Sequence, residues 1–260
     1  MRLAANLSLL YGDLPYLERF AQARLDGFDA VETWWPNGED PDAVAGVAQE
    51  AGLPLVLLNV EAGDLAAGER GFFNRSEERE RVLAATRTAI DLASRTGCRR
   101  LNALVGNGVG DDAEAELAAA LPTLREAAAL AADAGMRLTI EALNADDTPR
   151  YLVRSTARAR ALVADIGHGA GVQFDTYHMG RMGEDIVAVA REVGSELAHI
   201  QIADYPGRHE PGTGELPFDA FFTALRAAGY TGDAGLEFLP TRPVAETLAA
   251  VRERVASDAG

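Results

Sequence analysis

Eight short apolar runs, each followed by a longer segment with helical spacing, constrain the fold of this 260-residue chain more than any other feature. The runs cover residues 3–9, 28–34, 53–60, 101–105, 137–143, 172–177, 197–203 and 234–239. Alternation of strands and helices favours a parallel sheet with right-handed crossovers. Eight such units predict an α/β fold of the (β/α)8 TIM barrel type rather than an open sheet.

The barrel is expected to be a single domain over residues 1–260, because barrels commonly have about 250 residues and no linker divides this chain. The first strand is not followed by Gly-x-Gly-x-x-Gly, which weakens a dinucleotide-binding alternative. The segment 61–75 is longer than the few residues of an ordinary strand-to-helix loop. Long loops in compact domains tend to be functional, so this segment is a candidate part of the site.

Charge and composition exclude several functions. The formal net charge is −16, whereas a nucleic-acid partner requires a basic face. All 24 basic residues are arginines, so a Schiff-base lysine and a P-loop lysine are excluded. Cys98 is the only cysteine, and neither a signal peptide nor an apolar run of roughly 18–20 residues is present. We therefore expect a soluble cytoplasmic protein without a membrane partner.

Oxygen-bearing side chains lie near the ends of the last four predicted strands. Asp175 and His178 are three residues apart, where the sixth strand is expected to give way to a loop. Glu141, Gln201 and Glu237 lie among apolar residues of the fifth, seventh and eighth strands. Because barrel enzymes have their active site at the carboxyl ends of the strands, we expect these side chains to converge.

Carboxylates among apolar residues are costly unless they are paired or bound to a metal. A divalent cation held by Glu141, Asp175, Gln201 and Glu237 would balance the mutual repulsion of the acids, since no lysine is available. Oxygen-only ligands favour Mg²⁺ or Mn²⁺ over zinc. The alternative is that each acid forms an ordinary salt bridge with an arginine at the barrel mouth.

Five further residues are candidates for substrate contacts. His178 either caps a strand end or contacts the substrate beside the metal. Arg208 is either solvated or binds an anion, since arginine pairs well with carboxylates. Asn59 lies near the end of the third strand, and Glu69 and Arg70 lie in the long loop 61–75, from which they can reach a substrate.

Several motifs of this chain resemble those of the hydroxypyruvate isomerase family, among the xylose isomerase-like barrels. The resemblance extends over essentially the whole chain. The motifs are Ala4-Ala-Asn-Leu-Ser8, Gly63-Asp64, Ala67-Gly-Glu-Arg-Gly71, Ile140-Glu141, Asp175-Thr-Tyr-His-Met179, Gln201-Ile-Ala-Asp204 and Arg208-His-Glu-Pro-Gly-Thr-Gly-Glu215. Trp34-Trp35 and Asn59-Val-Glu61 depart from the family pattern, and both segments are placed where they could touch the substrate.

The resemblance implies a metal bound by Glu141, Asp175, Gln201 and Glu237, with the two glutamates also transferring the proton. It implies conversion of hydroxypyruvate to 2-hydroxy-3-oxopropanoate (tartronate semialdehyde) through an enediolate, so the partner would be a small hydroxy-oxo acid. A 2-oxo-tetronate isomerase and a ketose epimerase remain open as alternatives with the same metal chemistry. A metal-dependent endonuclease and a catalytically silent binding barrel are further alternatives, and a homo-oligomer is left open.

Overall fold

Eight parallel strands hydrogen-bond in chain order, and the last strand pairs with the first, so the sheet closes into a barrel. The computed structural model describes residues 1–256; residues 257–260 of the predicted domain lie outside that part. The strands are β1 Leu3–Asn6, β2 Ala30–Thr33, β3 Leu55–Asn59, β4 Arg100–Asn102, β5 Arg137–Glu141, β6 Gly171–Asp175, β7 His199–Ile202 and β8 Ala234–Leu236. The predicted (β/α)8 fold is confirmed.

Helices surround the barrel and cover its apolar outer face. They are α1 Arg19–Leu25, α2 Pro41–Ala51, α3 Arg79–Thr96, α4 Ala113–Asp133, α5 Thr156–Ile166, α6 Thr176–Arg181, α7 Ile186–Val193, α8 Phe218–Ala227 and α9 Val244–Ala256, with 3₁₀ turns at Tyr16–Glu18, Ser76–Glu78 and Gly194–Glu196. Packing is dense: Phe221 of α8 stacks on Phe174 of β6 with 6.1 Å between ring centroids. Within residues 1–256, none of the helices combines the length and apolar character needed to cross a bilayer.

The segment after β6 differs from the sequence prediction. A loop was expected at Asp175 and His178, but α6 begins directly after the strand. Asp175 Oδ1 accepts the backbone N–H of Tyr177 at 2.7 Å and that of His178 at 3.2 Å. An aspartate in this position satisfies N–H groups that the first helical turn leaves unpaired, which starts the helix here. The loop prediction was wrong, and the helix holds His178 rigidly beside Asp175.

The long loop 61–75 is fixed to the barrel mouth by a close backbone contact. Gly71 has φ +87°, and a Cβ atom there would lie 1.8 Å from the carbonyl oxygen of Leu104. A neighbouring antiparallel bridge joins Phe72 to Gly106. Only glycine combines this backbone conformation with so close an approach. The loop therefore places Arg70 over the carboxyl ends of the strands.

Candidate active site

Three buried acids and a buried histidine meet at the carboxyl end of the barrel. Glu141 ends β5, Asp175 ends β6, Glu237 follows β8 and His178 lies in α6. Their exposed fractions are 4%, 1%, 3% and 5% respectively. Ligand atoms of Glu141, Asp175 and His178 all lie within 4.8 Å of one another. This buried group could hold a metal ion.

Among the described residues, hydrogen bonds leave a fully buried carboxylate oxygen of Asp175 without a partner. Asn102 donates its Nδ2–H to Glu141 Oε2 at 2.8 Å, and Asp175 Oδ1 is bound by the first turn of α6. Asp175 Oδ2 is buried and has no hydrogen-bond partner among residues 1–256. A buried carboxylate oxygen is costly without a partner. A cation bound at Asp175 would supply that partner, so the donor set fits a metal ion.

The acids destabilise one another's charges. Burial, reinforced by the charge of Asp175, raises the pKa of Glu141 to about 8. Burial also raises the pKa of Asp175 to about 6, although Arg208 opposes the shift. The pKa of Glu237 is raised well above its ordinary value, again chiefly by burial. A bound cation favours the ionised form of every carboxylate near it, so it would lower all three pKa values.

Arg208 provides positive charge beside these acids. Its Nη2 donates to Glu237 Oε1 at 2.5 Å and lies 3.9 Å from Asp175 Oδ2. The guanidinium lies over the ring of Tyr177, 5.1 Å from the centroid. Asp204 holds the loop that carries Arg208, because its backbone oxygen accepts the Arg208 N–H at 2.8 Å. Arg208 Nε has no hydrogen-bond partner within the described chain and can receive an anionic group.

Gln201 contacts Glu237 through its amide nitrogen rather than through its amide oxygen. The Nε2–H₂ group donates to Glu237 Oε2 and, at 2.8 Å, to Glu32 Oε1. The amide oxygen accepts the Nε2–H of Gln173 at 2.7 Å. The predicted metal residue therefore lies directly beneath Glu237, and its role as a ligand stays a prediction.

The hydrogen bonds of His178 determine which ring nitrogen carries the proton. Nδ1 accepts the backbone N–H of Asn144 at 3.2 Å and faces the Asn144 side-chain amide nitrogen at 2.8 Å. That amide is itself oriented by Asp147, which it contacts through both of its polar atoms. Burial and the nearby charge of Arg208 lower the pKa of His178 well below its usual value. A neutral ring with Nδ1 as acceptor carries its proton on Nε2, so His178 suits a substrate oxygen better than a metal ion.

A cavity of about 260 Å³ opens above the acids. Its lining comprises Trp34, Asn59, Leu65, Ala66, Arg70, Leu104, Glu141, Leu143, Asp147, Thr148, His178, Arg208 and Glu237. Asn59 Oδ1 is buried without a hydrogen-bond partner in residues 1–256. Burial and the charge of Arg208 lower the pKa of Arg70. Glu69 is not part of the lining; its Oε2 accepts the Asp64 N–H at 2.7 Å, which stabilises the loop.

Sequence reasoning missed several residues that organise the site. Asn102, which ends β4, was not among the predicted site residues, although it donates a hydrogen bond to Glu141. Tyr151 donates its hydroxyl hydrogen to the Glu141 backbone oxygen at 3.1 Å, and Asn144 orients His178. Asn144 and Tyr151 both lie in the loop after β5, where no spacing marks a role.

Comparisons with known proteins agree with this architecture. A family model described as xylose isomerase-like TIM barrel matches residues 20–254. A Streptomyces coelicolor relative described as a candidate hydroxypyruvate isomerase is 40% identical in an alignment of 253 residues that covers 92% of this chain and 91% of the relative. The hydroxypyruvate isomerase of Escherichia coli is 37% identical over 246 residues, covering 92% and 94%. The 2-oxo-tetronate isomerase of Cupriavidus necator is 34% identical over 241 residues, covering 92% and 93%.

A solved structure supports the same relationship. The crystal structure of a Brucella melitensis protein, described as an AP endonuclease of family 2, has a TM-score of 0.91 to this chain. The two are 34% identical, and the match covers 96% of this chain and 98% of the other.

The closed (β/α)8 barrel and the family-model match over residues 20–254 show that the chain belongs to the xylose isomerase-like TIM barrel family. Within that family it groups with the hydroxypyruvate isomerases, to which the relatives at 40% and 37% identity are assigned by description. It is an isomerase. The resemblance inferred from the motifs is thereby confirmed.

Proposed function

We propose that this isomerase interconverts hydroxypyruvate and 2-hydroxy-3-oxopropanoate with the help of Mg²⁺ or Mn²⁺. Glu141, Asp175, Gln201 and Glu237 would hold the cation, and their oxygen atoms suit these hard ions. When bound, the cation polarises the carbonyl and hydroxyl oxygens of the substrate and acidifies the C–H between them. The observation that carries the proposal is the pair of buried glutamates, Glu141 and Glu237, which face one small cavity.

The two glutamates transfer the proton. One removes a proton from the hydroxymethyl carbon C3, which gives an enediolate across C2 and C3, and the other delivers a proton to C2, while the proton of the C3 hydroxyl passes to the oxygen on C2. The alcohol at C3 becomes an aldehyde while the ketone at C2 becomes an alcohol, so no external oxidant is required. Burial raises the pKa of Glu141 to about 8 in the metal-free site; a bound cation would lower it, so that the ionised carboxylate can accept the proton.

The substrate carboxylate is bound by cationic and N–H donors of the cavity. Arg208 offers its unpartnered Nε, and Arg70 lines the cavity from the loop above. His178 donates its Nε2–H to a substrate oxygen, and Asn59 accepts a substrate hydroxyl at its free Oδ1. Glu69 was predicted to contact the substrate. In this proposal it acts indirectly, because its carboxylate stabilises the loop that carries Arg70.

The size of the cavity favours a small substrate over a ketose. Pockets for ordinary ligands span about 300–1,000 Å³, whereas this cavity has about 260 Å³. A 2-oxo-tetronate is one carbon longer than hydroxypyruvate, and identity to a 2-oxo-tetronate isomerase makes it the second candidate. A nucleic-acid substrate is disfavoured by the net charge of −16.

A substrate comparison tests the proposal. The purified protein is offered hydroxypyruvate, 2-oxo-tetronates and ketoses in parallel, with Mg²⁺, Mn²⁺ or EDTA, and products are followed by proton NMR. We expect the highest kcat/KM for hydroxypyruvate and loss of turnover in EDTA. A higher kcat/KM for a tetronate would assign the second candidate instead.

The proton-transfer roles are tested with Glu141→Gln and Glu237→Gln, which remove the base and keep the shape. Each is expected to lower kcat by about 10²–10⁴-fold. Glu210→Gln is the matched control, because Glu210 is equally buried but binds Thr241 outside the cavity. Near-full activity of either active-site variant with metal bound would contradict the mechanism.

A further inference from the structure

Glu32 is a fully buried carboxylate inside the barrel, beneath the site, that the proposed reaction does not use. Its exposed fraction is 0%. Oε1 accepts the Asn6 Nδ2–H at 2.9 Å and the Gln201 Nε2–H at 2.8 Å. Oε2 lies 2.6 Å from His199 Nε2. The two oxygens thus have three nitrogen partners from two strands, Asn6 of β1 and His199 and Gln201 of β7.

Strand β8, which lies on the other side of β1 from β2, is shaped to admit this carboxylate. A Cβ atom at Gly235 of β8 would lie 2.0 Å from Glu32 Oε2 and 2.1 Å from its carboxyl carbon. Real Cβ atoms do not approach other atoms so closely, so any larger residue at position 235 would displace the carboxyl group. Because Gly235 of β8 has no side chain, the barrel interior has room beside it, and the carboxyl group of Glu32 from β2 fills that space.

Two amides connect Glu32 to Glu237. Asn6 Nδ2 donates to Glu32 Oε1 and also to Glu237 Oε2 at 2.8 Å. Gln201 Nε2 likewise donates both to Glu32 Oε1 and to Glu237 Oε2. A primary amide nitrogen has two hydrogens, so each amide uses one for Glu32 and one for Glu237. Both amides would lose this orientation if the acceptor beneath them were removed.

We propose that Glu32 is a positioning residue for the isomerase site. It fixes the amides of Asn6 and Gln201 from below, and these amides hold Glu237 in a single conformation. The inference rests on the proposed function in that Glu237 is there assigned to the metal site. Partners that orient the residues of a metal site typically change metal affinity or activity 10- to 100-fold when they are mutated.

Two variants of Glu32 separate positioning from charge. Glu32→Met has a similar volume but no acceptor, so both amides lose their lower partner. Glu32→Gln keeps an oxygen acceptor for the two amides, and its NH₂ group can donate to His199 Nε2 once the ring proton moves to Nδ1. If Glu32 acts by orienting the amides of Asn6 and Gln201, Glu32→Gln keeps this effect and Glu32→Met loses it.

The experiment measures Mn²⁺ binding to the full-length protein by calorimetry without substrate, together with kcat and KM. We expect Glu32→Met to weaken Mn²⁺ binding by about 10- to 100-fold and to lower kcat more than it changes KM. Glu32→Gln is expected to restore most of the Mn²⁺ affinity. Equal loss in both variants, or wild-type Mn²⁺ affinity in Glu32→Met, would overturn the proposal.

Control variants distinguish a site effect from lost stability. Asp233→Asn removes a buried carboxylate that binds Arg2 and Arg100, away from the cavity, and is expected to lower Tm with unchanged Mn²⁺ affinity. If Glu32→Met does not fold, Glu32→Asp replaces it, because the shorter side chain withdraws the carboxyl group from the amides by about 1.5 Å. Wild-type Mn²⁺ affinity in the Asp variant would then overturn the proposal.

Failure of the proposed function has a different signature. A wild-type protein that binds Mn²⁺ but does not convert hydroxypyruvate would overturn the substrate assignment, while weaker Mn²⁺ binding in Glu32→Met would still support the positioning role. A wild-type protein that binds no Mn²⁺ would overturn both.

Discussion

Replacing Glu141 with Gln is expected to stabilise the metal-free protein, although it lowers kcat. Glu141 is 4% exposed, and burial together with the charge of Asp175 raises its pKa to about 8. The amide is nearly isosteric and its oxygen can accept the same hydrogen bond from Asn102, which Glu141 Oε2 now accepts at 2.8 Å. The variant therefore removes an unfavourable charge and retains the packing.

The sign of the pH dependence follows from the raised pKa. In the unfolded chain the carboxyl group ionises around its ordinary pKa of 4.5, whereas in the folded protein it stays protonated up to about pH 8. The favourable contribution of Glu141 to the free energy of unfolding is therefore fully present below pH 4.5 and is lost as pH rises towards 8. A difference of one pKa unit between the folded and unfolded states corresponds to about 1.4 kcal/mol of stability. The advantage of the Gln variant is then about 1 kcal/mol at pH 5 and about 4 kcal/mol at pH 8.

Urea unfolding in EDTA at pH 5 and pH 8 measures this difference. Glu210→Gln is the matched control with the opposite sign: burial raises the pKa of Glu210, but hydrogen bonds from Thr241 outweigh it and lower the pKa overall. That variant is expected to lose stability at both pH values, and a further measurement at pH 4 is expected to show a smaller loss than at pH 8. The reasoning would be refuted if Glu141→Gln shifted the free energy of unfolding equally at both pH values.

Two further substitutions test the site and its loop. Asn144→Ala removes the side-chain donor to His178 Nδ1, so we expect kcat to fall about 10-fold and its pH profile to shift; an unchanged profile would argue against the assigned tautomer. Gly71→Ala would place a methyl group against the Leu104 carbonyl at a positive φ, and we expect a loss of at least about 1–3 kcal/mol in urea unfolding. Wild-type stability of that variant would show that the loop can move away from Leu104.

Local patterns predicted the barrel and most of the cavity lining. The alternation of strands and helices favours a barrel. Each strand is apolar on both faces, so both faces of the sheet have to be packed against other parts of the chain. Glu141, Glu237, His178 and Arg208, all chosen from the sequence, line one cavity. Glu69 was chosen from the same loop as Arg70 but does not line the cavity, since its carboxylate turns to the Asp64 N–H. Side-chain direction within a loop depends on its backbone turns, which the residue types alone did not predict.

The sequence by itself determined that acids and amides occur at the ends of successive strands, because strand period and loop position are local properties. Only the tertiary structure decided which atoms meet. Glu32 and His199 are 167 positions apart, and Asn6 and Glu237 are 231 apart, yet each pair is in direct contact. Barrel closure joins β1 to β8 and so brings distant side chains into one interior. The orientation of the amides there depends on hydrogen bonds from several strands at once, and that information is absent from any single stretch of the chain.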